Sequence, residues 1–215
     1  MESSDDWSLA GAAVRDHGGW KLDGTPAEII DRCSREAPDG VRFIQMGNVD
    51  SRLKEHEMRR EQHLDRWSGT VAFNTVSRVF DEEGGWTIVD LQGGTLQVAG
   101  GMVGTNGIAV LVVEPFAKSV LTARRFVEMG RWPTGIRLVG VANKISSVED
   151  EAYVEAALSE LGVPLWVSVP EDPVIVRADR DRSPIASVDR DAEAKQAVAR
   201  LADLLTEAAL ATSRN

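Results

Sequence analysis

The chain has 215 residues, enough for one sizeable α/β domain, and its 43% hydrophobic and 27% charged residues are ordinary for a globular protein. Acidic residues outnumber basic ones 34 to 24, for a formal net charge of −10. That excludes the broad basic footprint of a general nucleic-acid binder and disfavours docking on an anionic membrane.

A single cysteine, Cys33, rules out an internal disulfide framework and reads as half-buried packing. The opening residues carry no signal-peptide pattern, and no apolar run approaches the ~20 residues of a membrane span, so the expected location is cytoplasmic.

Residues 1–40 are weakly patterned. A short helix is expected over Trp7 to Val14, broken by His17-Gly18-Gly19. Thr25-Pro26-Ala27-Glu28 reads as a helix start, with Thr25 as cap, Pro26 in the first turn and Glu28 completing a capping box. After the turn signal Asp39-Gly40, Val41–Met46 reads as a strand ending at Gly47. Residues 48–66 form a highly charged insertion, a solvated helix or loop. Its His56 and His63 have no nearby cysteine, so no metal site is expected. Trp67, Val71, Thr75 and Val79 recur at helical spacing, and Gly84-Gly85 leads into an apolar strand, Trp86–Asp90, followed by Gly93-Gly94.

The second half is more regular. Strands are expected at Ile108 to Val113, Ile136 to Ala142 and Leu165 to Val169. Helices are expected from Ser119 to Met129, from Ser147 to Leu161 and from Asp189 to Leu210. Alternating helices and near-continuous apolar strands imply an α/β fold, a mostly parallel sheet flanked by helices, in one domain over residues 1–215.

Four strands end in polar or glycine residues, as in sheets that bind nucleotides at their carboxyl edge. Asp90 has the place of an acid near Mg²⁺, and Gly93 and Gly94 would let backbone N–H groups approach a phosphate. Glu114 tips the next strand. Asn143 could offer its amide to a purine edge, and the Lys144 stem could lie along the base. Pro170, Glu171 and Asp172 would close the other side. Each also has a purely structural explanation: a strand-end Asp capping a turn, an Asn ending a strand, a rigid surface loop. The expected opening motif, G-x-x-x-x-G-K-[ST], does not occur, and no Gly is followed by Lys.

The order and spacing of these segments resemble the deviant-Walker ATPases, the group of the Min-type septum-site and Par-type partition ATPases. The set is most similar to the carbon monoxide dehydrogenase accessory ATPases that assist nickel insertion. Phe43-Ile44-Gln45-Met46-Gly47 matches the strand before that family's variable insertion, and Val89-Asp90-Leu91-Gln92-Gly93-Gly94 its switch segment. Val112-Val113-Glu114-Pro115 with Ser119 and Ala123, Val141-Ala142-Asn143-Lys144, and Pro170-Glu171-Asp172 through Ala178 to Pro184-Ile185 match its later signatures. The resemblance runs from about Val41 to the C-terminus and implies a P-loop NTPase-like fold with ATP or ADP and Mg²⁺ as ligands.

Two departures weigh against full activity. The family's first strand, phosphate loop, helix and second strand have no counterpart, and the cysteine pair of its nickel-related members is absent between Gly47 and Trp67. Without the phosphate cradle little would stabilise charge in transfer. The expectation is therefore a non-hydrolysing accessory or regulatory partner with a residual, weak adenine-nucleotide site. One alternative is an active ATPase whose phosphate loop lies upstream or on another chain; a third is a ligand-free scaffold. A missing central strand also implies a protein partner or homo-oligomer docking through Val41–Met46 and Trp86–Asp90, with Trp86 as anchor or as ordinary core.

Overall fold

The structure is a computed structural model that describes residues 13–16, 19–37, 40–45, 86–91, 106–129 and 135–212. The chain divides into two compact units, Met1–Gly104 and Thr105–Asn215.

In the first unit, β1 (Ala13–Asp16) and β2 (Gly19–Leu22) form an antiparallel pair. Val14 thus lies in a strand rather than at the end of the expected helix, and Trp7 lies outside the described residues. Helix α1 (Pro26–Cys33) starts as its sequence dictates. The Thr25 hydroxyl accepts from the Glu28 N–H, and the Glu28 carboxylate accepts from the Thr25 N–H at 2.7 Å. This satisfies backbone donors that the first helical turn leaves open. The helix buries Ile29, Ile30 and Cys33, one apolar stripe at helical spacing, and Cys33 is fully buried rather than half-buried.

Beyond α1, β3 (Ser34–Glu36) pairs antiparallel with β4 (Arg42–Ile44). The expected strand Val41–Met46 is observed over Arg42–Ile44, in an antiparallel pair rather than in a parallel sheet, and Met46 lies outside the described residues. The cause is local. Gly40 takes φ 77°, and the Ala37 N–H donates to the Val41 carbonyl at 2.8 Å, so the chain turns back on itself. The Arg42 guanidinium adds a bond to Asp31 at 2.7 Å. The expected buried strand Trp86–Asp90 is corrected. These residues are exposed, Ile88 at 91%, and have no ladder partner among the described residues. Apolar, β-branched composition favours extended backbone, but a strand exists only where a neighbour takes its N–H and C=O groups. Gly93, Gly94 and the charged insertion lie outside the described residues.

The second unit holds a three-stranded parallel sheet in the order β5 (Asn106–Val113), β6 (Gly135–Ile145), β7 (Leu165–Pro170). The crossovers are helix α2 (Ala117–Met129) and helix α3 (Val148–Glu160), since parallel neighbours need a long connection. Helix α4 (Pro173–Arg180), a 3₁₀ turn at Ile185–Ser187 and helix α5 (Glu193–Thr212) follow, and α5 packs on β7. The expected mostly parallel sheet flanked by helices is therefore observed here.

One core joins Val113, Ala123, Ala142, Val154, Leu158 and Val163. It depends on close approach at Gly140. A Cβ there would lie 2.5 Å from Cδ1 of Leu158, a side chain only 1% exposed. Helix α3 is capped by Ser147, whose Oγ accepts from the Asp150 N–H at 3.1 Å.

Helix α4 replaces what reads in the sequence as a loop. Asp172 caps it, accepting from the Val174 N–H at 2.9 Å, with Pro173 in the first turn. The Asp-Pro pair is itself a helix-start signal.

Candidate functional site

Parallel strands deliver their carboxyl ends to one edge of a sheet, and here that edge gathers residues that are distant in sequence. Glu114 follows β5, Asn143 and Lys144 end β6, and Pro170, Glu171 and Asp172 end β7 and lead into α4.

The turn after β5 is fixed by two bonds. The Glu114 N–H donates to the Ser119 hydroxyl at 3.0 Å, and the Phe116 N–H donates to the Glu114 carbonyl at 2.7 Å. At the end of β6 the register slips between Asn143 and Ile145. Lys144 sits in that irregularity with φ 55°, a left-handed conformation uncommon outside glycine. The Glu171 N–H then donates to the Ile145 carbonyl at 3.0 Å and closes the two strand ends together.

The bulge aims the Lys144 ammonium at Glu114, 2.5 Å away. The hydrogen bond and charge of Glu114 raise the lysine's pKa above its ordinary 10.5, and the Glu171 carboxylate adds to this. Glu171 in turn accepts from the Ser146 hydroxyl at 2.8 Å. Asp172 is committed to α4, and its second oxygen accepts from the Ala194 N–H at 3.4 Å. Asn143 differs from all of these. It is half-buried, pairs in register with Val169, and its amide makes no hydrogen bond among the described residues.

The structure therefore brings together Glu114, Asn143, Lys144, Pro170, Glu171 and Asp172. Asp90 is an exposed residue of the other unit, at the end of no described strand. Ser146 and Ser119, which pin the network, are additions that sequence reasoning did not assign to the site. Ser119 was at hand as part of a signature, whereas Ser146 carries no signal beyond its place before a helix cap.

These residues suit one part of a nucleotide better than another. Asn143 offers the donor and acceptor that a purine edge needs. The only ammonium in the group is already paired with Glu114, and the Glu171 carboxylate also acts on it. That donor set fits a base and not a triphosphate, which requires free cations and backbone N–H groups.

No protein-family model matches the sequence, and no curated protein matches it. Among solved structures, the MinD cell division protein of Aquifex aeolicus is similar, with a TM-score of 0.55 and 18% sequence identity. The alignment covers 83% of this chain and 70% of that one. The chain shares the MinD fold. At this identity the likeness carries the fold alone. Among the described residues, no helix is long and apolar enough to cross a membrane.

Proposed function

We propose that this chain is a relative of the deviant-Walker ATPases, nearest in motif to the carbon monoxide dehydrogenase accessory ATPases. It acts as a non-hydrolysing accessory or regulatory protein with a residual adenine-nucleotide site. The observation that carries this is the unpaired Asn143 amide at the carboxyl end of β6, beside a Lys144 already neutralised by Glu114. A site of that kind holds a base and does little for a phosphate chain. Mg²⁺ has no described carboxylate placed for it beyond those engaged with Lys144, Ser146 and α4.

Calorimetry tests the site. ADP and ATP should bind weakly and alike, and Asn143→Ala should weaken both about tenfold, the loss of a hydrogen-bonded amide pair. A strong Mg²⁺-dependent preference for ATP contradicts it. In a phosphate-release assay the pure chain should turn over ATP no faster than buffer. Turnover abolished by Asp90→Ala would instead restore the ATPase.

One observation favours a second chain at work with this one. Strand β5 is paired on one side only among the described residues, and its Val110 and Val112 are 36% and 55% exposed. In the other unit Trp86, Ile88 and Val89 are exposed. Unpaired apolar backbone of this kind is a template for another strand. Docking through the Trp86–Asp90 segment, with Val41–Met46, is the partner surface we infer, and Trp86 is its anchor. Sedimentation at micromolar concentration should show self-association or require a partner. A monomer with slow hydrogen exchange over Trp86–Asp90 would remove the partner.

A further inference from the structure

A second feature of the C-terminal unit lies beside the strand ends and shares Pro170 with them, but its charged and aromatic side chains are different ones. A cavity of about 390 Å³ is lined by Trp166, Val167, Ser168 and Pro170 of β7, Ile145 of β6, Glu151 of α3, and Arg200 and Leu204 of α5. Its volume is in the range of small-ligand sites; it opens to solvent, and polar and apolar groups share its lining.

The polar groups are arranged asymmetrically. Glu151 is anchored on β7, where its carboxylate accepts a hydrogen bond from the Ser168 hydroxyl. One hydroxyl leaves most of a carboxylate's acceptor capacity open. Arg200 projects from α5 and has no ion pair or hydrogen bond among the described residues. The two opposite charges line the same cavity without pairing to each other. The Arg137 guanidinium lies 5.0 Å from the Trp166 ring centroid, a cation–π contact. Ile145, Val167, Pro170 and Leu204 supply the rest of the apolar surface.

A purely apolar ligand would leave both charged groups unused, and a simple anion or cation would meet one favourable and one repulsive group. Long-range attraction gives no help to an anion, because the chain carries a net −10 and fields are screened beyond about 8 Å at physiological salt. We propose that this cavity binds a small zwitterion with an aromatic or branched apolar body, of the apolar amino-acid type. Its ammonium meets Glu151, its carboxylate meets Arg200, and its body lies against Trp166 and Leu204.

The test uses the full chain, labelled with ¹⁵N in its indole groups, and three probes. L-phenylalanine has both charges, phenethylamine lacks the carboxylate, and 3-phenylpropionate lacks the ammonium. The Trp166 indole signal is assigned by its loss in Trp166→Phe. L-phenylalanine should shift that signal with a Kd on the order of 1 mM, the range for so small a ligand. Each singly charged probe should bind about tenfold more weakly. Arg200→Gln should erase the advantage over phenethylamine, and Arg200→Lys should keep it. Glu151→Gln can still accept from Ser168 and should erase the advantage over 3-phenylpropionate. Three results overturn the proposal: no Trp166 shift by ~20 mM L-phenylalanine, far above that range; equal affinity for all three probes; or probe preferences that survive both charge-removing variants.

Discussion

The two units of the chain solve the same problem in different ways. In Thr105–Asn215, strands of 8, 11 and 6 residues pair in parallel and share one core beneath α2 and α3. In Met1–Gly104, the described strands are three or four residues long and pair two at a time. There, local devices carry more of the order: a capping box, a glycine turn and the Arg42–Asp31 bond. Parallel pairing demands long crossovers and rewards continuous apolar strands, whereas antiparallel pairs form around a turn. The contrast teaches where each unit is vulnerable, to lost packing in the second and to lost caps and turns in the first.

Four changes should break or sharpen that contrast. Leu158→Ala removes a fully buried side chain from the C-terminal core and should destabilise that unit by about 2–5 kcal/mol. Denaturant melts followed by exchange at β6 amides would read it, and a loss under about 1 kcal/mol would show that the core can collapse around the gap. Gly140→Ala drives a methyl group into Leu158 and should cost about 1–3 kcal/mol. Combining it with Leu158→Ala should cost less than the sum, because the two share one space, and simple additivity would refute the close approach.

Thr25→Ala removes the N-cap of α1 and should cost about 1 kcal/mol, read at the α1 amides. The smallest effect is in pH dependence. Glu28 is held below its ordinary 4.5 by the Thr25 N–H first and the Thr25 hydroxyl second. A lowered carboxylate pKa gives stability that is complete above the unfolded value and lost as pH falls through the folded one, so α1 should fray below about pH 4.5. Lys144 has the opposite sign. Its raised pKa, set chiefly by Glu114, gives stability complete below 10.5 and lost as pH rises through the higher folded value. Glu114→Gln should flatten the alkaline limb alone and leave the acid limb of α1 unchanged.

Much of the second unit could be read from sequence because its signals are local. Ser147 caps α3 as its spacing with Asp150 requires, and the continuous apolar runs became β5, β6 and β7. Asn143, Lys144 and Glu171 were identifiable as strand-end residues once the strands were known, and Asp172-Pro173 held a helix signal that loop expectation overrode. Trp86–Asp90 shows the limit of the same reasoning. Its composition is that of a strand, yet no described neighbour takes its backbone groups.

What the sequence by itself determined is the set of short-range choices: where helices start, which runs are extended, and the overall negative charge. Those follow from hydrogen bonds and side-chain periods spanning a few residues. The tertiary structure alone decided that the bulge at Lys144 delivers its ammonium to Glu114, and that Glu151, Trp166 and Arg200 line one cavity. Each of these depends on register between distant segments. A single-residue slip in a strand reverses every side chain on it, and no local pattern along the chain specifies that pairing.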